Sequence, residues 1–300
     1  MKKENRLYRN NARLGTLDLL RGLTLVSMIL YHGLWDLLYL SGTGADMPVL
    51  KAWYEGTGGH LWQQSICRTF ILLSGFCVPF SKHIIRRGLQ VSLAGCAVTA
   101  VTILFLYEER VVFGVLTFLG MAMLLTGVLK RFFGRKDSPG AACPSARGTG
   151  TGQSRCRDGF PAACPSARQK NLYAFVLLLC VLFFHITRWV NAGFLRIGPF
   201  LSPAFPAALY KEGPAGLFLT ALGFPMPGFF STDYFSLIPW IFLFWAGMFL
   251  HLLMDCRRET ASWKTWDAFH LNVPVLNWMG RHSLLVYLLH QPLLYLLTAL

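Results

Sequence analysis

The chain alternates apolar runs of about twenty residues with short polar connections, and this alternation restricts its fold more than any single motif does. A bilayer core needs about 20 residues of apolar helix to cross it, and inside lipid every backbone polar group must be bonded within the segment. The runs therefore read as transmembrane α-helices. The most informative one, RLGTLDLLRGLTLVSMILYHGLWDLLYL at residues 13–40, keeps Asp18, Arg21, His32 and Asp36 inside an otherwise apolar stretch. Holding an ionisable group near the bilayer centre costs a few kcal/mol or more, so such groups turn toward protein or water and mark candidate sites. At 3.6 residues per turn, Arg21 and His32 lie within about 20° of each other around the helix, with Asp18 about 40° to one side. Asp36 follows His32 by four residues, the spacing at which a carboxylate accepts a hydrogen bond from an imidazole and fixes its tautomer. The pair reads as an oriented base, with a structural lock between two helices as the alternative.

Charge distribution orients the runs. Of 300 residues 54% are hydrophobic and 14% charged, and the charges collect in the connections. A net charge of +14 would suit nucleic acid only on a folded polar face; here the basic residues follow the positive-inside pattern, so no nucleic-acid partner is expected. Residues 1–13 form a basic cytoplasmic arm, and the first run, with Asp18 and Arg21 in it, reads as a retained helix at 16–40 rather than a cleaved signal. Spans follow at 64–80, 89–107, 111–129, 171–190, 234–254 and 283–299, giving an all-α polytopic membrane bundle of about seven helices. The amino terminus is inside, the carboxyl terminus outside, and the cell membrane is the expected location. The spans group as 14–129 and 171–300, separated by a basic insert at 130–170. In that insert GAACPSAR recurs as PAACPSAR among Gly, Pro and Ser, a composition expected to stay disordered. The connection at 41–64 and the Pro-rich stretch at 191–233 read as outer segments, the latter with short or re-entrant helices. Cys67, Cys77, Cys96 and Cys180 sit in apolar runs, and Cys143, Cys156 and Cys164 lack the paired spacing of a zinc site. All eight cysteines read as reduced, and no metal is expected.

A second polar cluster lies in GRHSLLVYLLHQP at residues 280–292. Ser283, Tyr287 and His290 are spaced four and three apart, one stripe with Gln291 beside it, and this stripe can face the first helix. Pro292 removes a backbone hydrogen bond just beyond it. Interhelical hydrogen bonding is the competing explanation for these residues. Arg68, before an apolar run ending in Ser74 and Gly75, suits either a snorkelling end or a polar cavity wall.

LDLLRGLTLVSMILYHGLWDL, RTFILLSGF, FGVLTFLGMAMLL, STDYFSLIPW and GRHSLLVYLLHQP occur in that order. In this they resemble the bacterial membrane proteins related to the catalytic domain of heparan-alpha-glucosaminide N-acetyltransferase, which is distantly similar to the acyltransferase-3 proteins. The resemblance implies acyl transfer across a membrane, with an acetyl-CoA donor approached from the cytoplasm and an amino sugar, other glycan or cell-envelope acceptor on the far side. Asp18 and Arg21 match the Asp and Arg that open the family's first catalytic helix, and His32 occupies the polar position fourteen residues after Asp18. In the lysosomal members that position is Asn and the catalytic His stands in the following outer loop, where this chain has His60, so two histidines compete for the role. Thr117 stands where relatives often carry a larger polar side chain.

The chemistry accounts for the same residues. Attack of an amine or hydroxyl on a thioester needs a base with a pKa near neutrality, which His32 supplies. Cations near the inner surface, Arg21 first and Arg86, Arg87 and Arg281 more loosely, attract the phosphates of a CoA nucleotide. Arg68, Tyr287, His290 and Gln291 are candidate substrate contacts. A proton-coupled transporter is the alternative these buried groups allow, although no second copy of the LDLLRG stretch supports the internal repeat common in transporters. A non-catalytic membrane component is a third reading, and homo-oligomer formation stays open.

Overall fold

The computed structural model describes residues 2–40, 46–81, 83–133, 167–198, 202–257 and 273–298, which fold as an all-α protein. Its helices are α1 (Lys2–Tyr39), α2 (Pro48–Glu55), α3 (Thr57–Phe76), α4 (Ile84–Phe105), α5 (Val115–Phe133), α6 (Ala167–Thr187), α7 (Gly213–Leu222), α8 (Leu237–Arg257), α9 (Pro274–Arg281) and α10 (Ser283–Thr298). An isolated antiparallel bridge joins Phe194 and Ala204.

Five segments are long and apolar enough to cross a membrane: Gly15–Tyr39, Ile84–Phe105, Val115–Phe132, Ala167–Ala192 and Leu237–Met254. They fall on five of the seven expected spans. The other two correspond to α3, a 20-residue helix whose first half is polar, and to α10, a 16-residue apolar helix that continues through Pro292. Large apolar side chains point outward from these helices, Phe105 at 78% exposure and Leu178 at 65%, which suits a hydrocarbon surround and would be costly in water.

Two expectations change. The connection at 41–64, expected as an outer loop, holds α2 and the first turns of α3, and the connection before residue 283 contains α9. Each of these short helices opens on a proline in its first turn, where the missing N–H has no intrahelical partner to lose. Eight residues cannot span a bilayer, so a reading based on long apolar runs passes over them. The insert at 130–170 expected to be disordered lies outside the described residues except at its edges, which are helical: 130–133 end α5 and 167–170, with the last two residues of the second PSAR, open α6.

The chain forms two compact units, one from Met1–Gly75 with Thr260–Leu300 and one from Phe76–Glu259. In the first, α9 crosses α1 at backbone contact. A Cβ on Gly22 would run into the carbonyl of Leu276, and one on Gly280 into that of Asp18. Beside this crossing Leu25, Met28 and Ile66 form a buried core lined by Phe70, Met279, Val286 and Tyr287. At the far end of α1, α2 is fastened by the Tyr39 hydroxyl, which donates to Glu55 at 2.6 Å, and by Lys51, whose Nζ lies 5.1 Å from the Tyr39 ring centroid.

In the second unit α4 and α5 meet along small residues, with Gly95 against Thr117 and Gly120 against Ser92, the close approach by which membrane helices gain contact without a hydrophobic driving force. Thr117 is thus part of a packing seam. Helices α6 and α8 pair through aromatic rings, Phe183 stacking on Phe242 at 5.5 Å and Phe184 lying 5.6 Å from Trp240. The STDYF segment ties the Pro-rich stretch to the start of α5. Ser231 Oγ accepts from the Val112 N–H at 2.9 Å and Asp233 Oδ2 accepts from the Val115 N–H at 3.2 Å. Asp233 thereby satisfies a first-turn donor of α5, and Asp233→Ala is expected to cost about 1 kcal/mol. Thermal unfolding of the detergent-solubilised variant checks this, and an unchanged midpoint would remove the capping role.

Candidate active site

Two histidines from separate helices meet in the first unit. His32 on α1 donates its Nδ1–H to the Met28 carbonyl at 2.9 Å, and His290 on α10 donates its Nδ1–H to the Tyr287 carbonyl at 2.5 Å. A carbonyl oxygen only accepts, so each contact places the proton on Nδ1 and leaves Nε2 with a free lone pair. The rings lie 5.0 Å apart between centroids, edge to face at 75°. One turn further along α1 and one residue further along α10, Gln291 Nε2 donates to Asp36 Oδ1 at 3.3 Å. Asp36 is fully buried at 0% exposure and His290 nearly so at 8%.

The expected hydrogen bond from His32 to Asp36 is not formed. The four-residue spacing puts both on one face, but the imidazole is held by its own helix backbone and the carboxylate by Gln291 of α10. The tautomer of His32 is fixed by a carbonyl instead of by Asp36. Three buried polar atoms of the cluster have no hydrogen-bond partner among the described residues: Asp36 Oδ2, Gln291 Oε1 and His290 Nε2. All three are acceptors. Unmet buried acceptors are costly, so this arrangement suits a ligand that brings N–H or O–H donors.

An aromatic wall adjoins the histidines. Tyr31 lies 5.9 Å from the His32 ring, stacks on Tyr54 at 4.8 Å and meets Trp62 edge-on at 5.3 Å. Trp62 is held by its Nε1–H, which donates to Ser27 Oγ at 2.8 Å, and the Tyr54 hydroxyl donates to the Tyr31 carbonyl at 3.4 Å. Burial pushes the Tyr54 phenol above its ordinary range, so it remains a donor. Sequence reasoning missed Tyr31, Tyr54 and Trp62, since aromatic residues in apolar runs look like packing; the adjacency of Tyr31 to His32 was the available signal. Tyr287, 5.4 Å from His290 and 6.2 Å from Phe70, closes the side toward α3.

A second polar group occupies the other end of α1. Asp18 receives Arg281 Nε at 3.2 Å and has Arg21 Nη1 at 4.0 Å, so one carboxylate faces two guanidiniums. The remaining candidates are not joined to either group by a contact among the described residues. His60 sits exposed in the first turn of α3, and its side chain makes no hydrogen bond, ion pair or ring contact among the described residues. Arg68 Nη2 donates to Gln64 at 3.4 Å, and Arg68 lies about 200° around α3 from the core residue Ile66. Cys96 and Cys180 are free thiols. Among the described residues no group of three His, Cys, Asp or Glu side chains is arranged to hold a metal ion.

Five helices long and apolar enough to cross a membrane, with a buried imidazole, carboxylate and amide group shared by α1 and α10, define a membrane protein with a polar site inside its helical part. Comparison with protein families makes this specific. The family described as heparan-alpha-glucosaminide N-acetyltransferase, catalytic, matches residues 13–140 and 171–292, and the chain belongs to that family. It is thus a membrane acetyltransferase by kinship, and the stretch between the two matched segments falls in the basic insert. No curated protein and no solved structure matches the chain.

Proposed function

We propose that the protein transfers an acetyl group from acetyl-CoA, reached from the cytoplasm, to an amino sugar or related glycan acceptor at the outer face of the cell membrane. The observation that carries this reading is the set of unmet acceptors around His32 and His290, which an amine with its N–H donors would satisfy. In the reaction the amine nitrogen bonds the acyl carbon, the carbon–sulfur bond breaks and CoA leaves as thiolate. The proton lost by the amine passes to Nε2 of His32, the atom left free by the bond to Met28. His32 is favoured over His60 because it lies in the shared cluster. Asp36 and Gln291 orient the acceptor, with Tyr287 and His290 beside it. Arg21 and Arg281 attract the donor's phosphates at the other end of α1, about 16 Å from His32 at 1.5 Å per residue. Family membership favours this chemistry over proton-coupled transport.

Topology supports the two-sided arrangement. Asp18 pairs with Arg281, His32 meets His290 and Asp36 meets Gln291, so α10 runs parallel to α1. Two parallel spans are separated by an odd number of crossings. Among the described residues the long apolar helices between them are α4, α5, α6 and α8, an even number, and α3 would supply the fifth crossing that the expected seven spans require.

The test is incubation of the purified protein in nanodiscs with labelled acetyl-CoA and a panel of amino sugars and glycans. Acceptor-dependent CoA release with label in the acceptor is expected. Acceptor uptake into proteoliposomes without thioester cleavage would replace the enzyme with a transporter.

A further inference from the structure

Helix α9 turns Asn277 and Gly280 toward α1 and leaves its other face open. On that face Trp278 is 53% exposed. His282 covers one side of the indole, with ring centroids 4.8 Å apart and planes inclined at 31°, and is fixed there by its Nδ1–H donating to the Trp278 carbonyl at 3.0 Å. The opposite side of the indole is unoccupied by any ring among the described residues. Arg281 stands three residues on, a neighbour on the helix surface. Its side chain is 63% exposed, and among the described residues only its Nε is engaged, by Asp18. The single carboxylate of Asp18 thus faces two guanidiniums, those of Arg281 and Arg21.

We infer that Trp278, backed by His282, is a nucleobase platform that stacks the adenine of the acyl donor while the free Nη groups of Arg281 meet its phosphates. This rests on the acyl-CoA reading above and adds to it a binding subsite for the nucleotide. The chemistry is a π face beside an uncommitted fork of N–H donors, which together suit a purine joined to phosphate. A tryptophan acting only as an interfacial anchor needs neither a backing imidazole nor an adjacent open guanidinium. Stacking of a base on an aromatic side chain is lost on truncation to alanine but largely kept when another ring replaces it.

Two measurements on the full chain in nanodiscs test this. The first is direct binding of adenosine 3′,5′-bisphosphate, which carries the nucleobase without the thioester. Binding to the unaltered protein is expected, about tenfold weaker in Trp278→Ala and close to unaltered in Trp278→Phe. The second is acetyl transfer from acetyl-CoA against transfer from acetyl-pantetheine, which lacks the nucleotide. Trp278→Ala should raise KM for the first donor about tenfold and leave the second within about twofold. Failure of the bisphosphate to bind, equal binding by Trp278→Ala, or equal KM changes for both donors would overturn the platform. Intact, Trp278-dependent bisphosphate binding with no acetyl transfer would uphold it and sink the transfer reading instead.

Discussion

His32→Ala is expected to lower the rate of acetyl transfer by about 10²- to 10⁴-fold, the contribution of a positioned general base. The size follows from how His32 is held. Its Nδ1 is committed to the Met28 carbonyl, so Nε2 keeps its lone pair in a ring held in one orientation, with the His290 ring 5.0 Å away and the unmet acceptors in the same cluster. Removing the ring leaves His290, whose Nδ1 is similarly committed to its own helix, without an equivalent partner on α1. His60→Ala, exposed at the start of α3, is expected to change the rate within about twofold, well below a base's contribution. The check is initial rate with labelled acetyl-CoA for both variants, alongside circular dichroism to establish that each is folded. A large loss in His60→Ala with little in His32→Ala would exchange the two roles.

The second large effect is on stability. Gly280→Ala places a methyl group against the backbone carbonyl of Asp18, and backbone cannot yield as a flexible side chain does. Overpacking of this kind costs about 3 kcal/mol, which the gain in helix propensity of about 1 kcal/mol does not offset. Net destabilisation of about 2 kcal/mol is therefore expected, and Gly22→Ala should behave alike, since its methyl group would meet the Leu276 carbonyl. Gly15→Ala is the control: its added carbon would lie 3.9 Å from Asn277 Nδ2, an ordinary contact, so the propensity gain should make it neutral or mildly stabilising. Thermal unfolding in detergent separates them. If all three variants melted together, the tight α1–α9 crossing would not control stability. Because Arg281 follows Gly280, displacement of α9 should also weaken its bond to Asp18 and raise KM for acetyl-CoA.

Much of this was legible from one dimension. Twenty-residue apolar runs are forced into helices by lipid, and five of the expected spans are helices of that kind. The periodicity that placed His32 and Asp36 on one face, and His290 beside Gln291 in the last span, pointed to the residues that α1 and α10 bring together. Family kinship was likewise readable from five motifs in order, and the matched segments bear it out. Short elements were not readable. Helices α2 and α9 are too brief to show a spanning pattern, yet one braces Tyr31 beside His32 and the other carries Arg281 to Asp18.

Sequence alone determined that ionisable side chains would be kept within membrane helices, because lipid tolerates such groups only where protein or water receives them. Tertiary structure alone decided who bonds to whom. His32 had two acceptors within reach at four residues' distance, the Met28 carbonyl behind it and Asp36 ahead, and the helix spacing was the same for both. Helix α10 resolved the choice by presenting Gln291 to Asp36, which left the imidazole to its own backbone and the cluster rich in acceptors. Such a preference depends on a partner 255 residues away in the chain, and no local pattern encodes that.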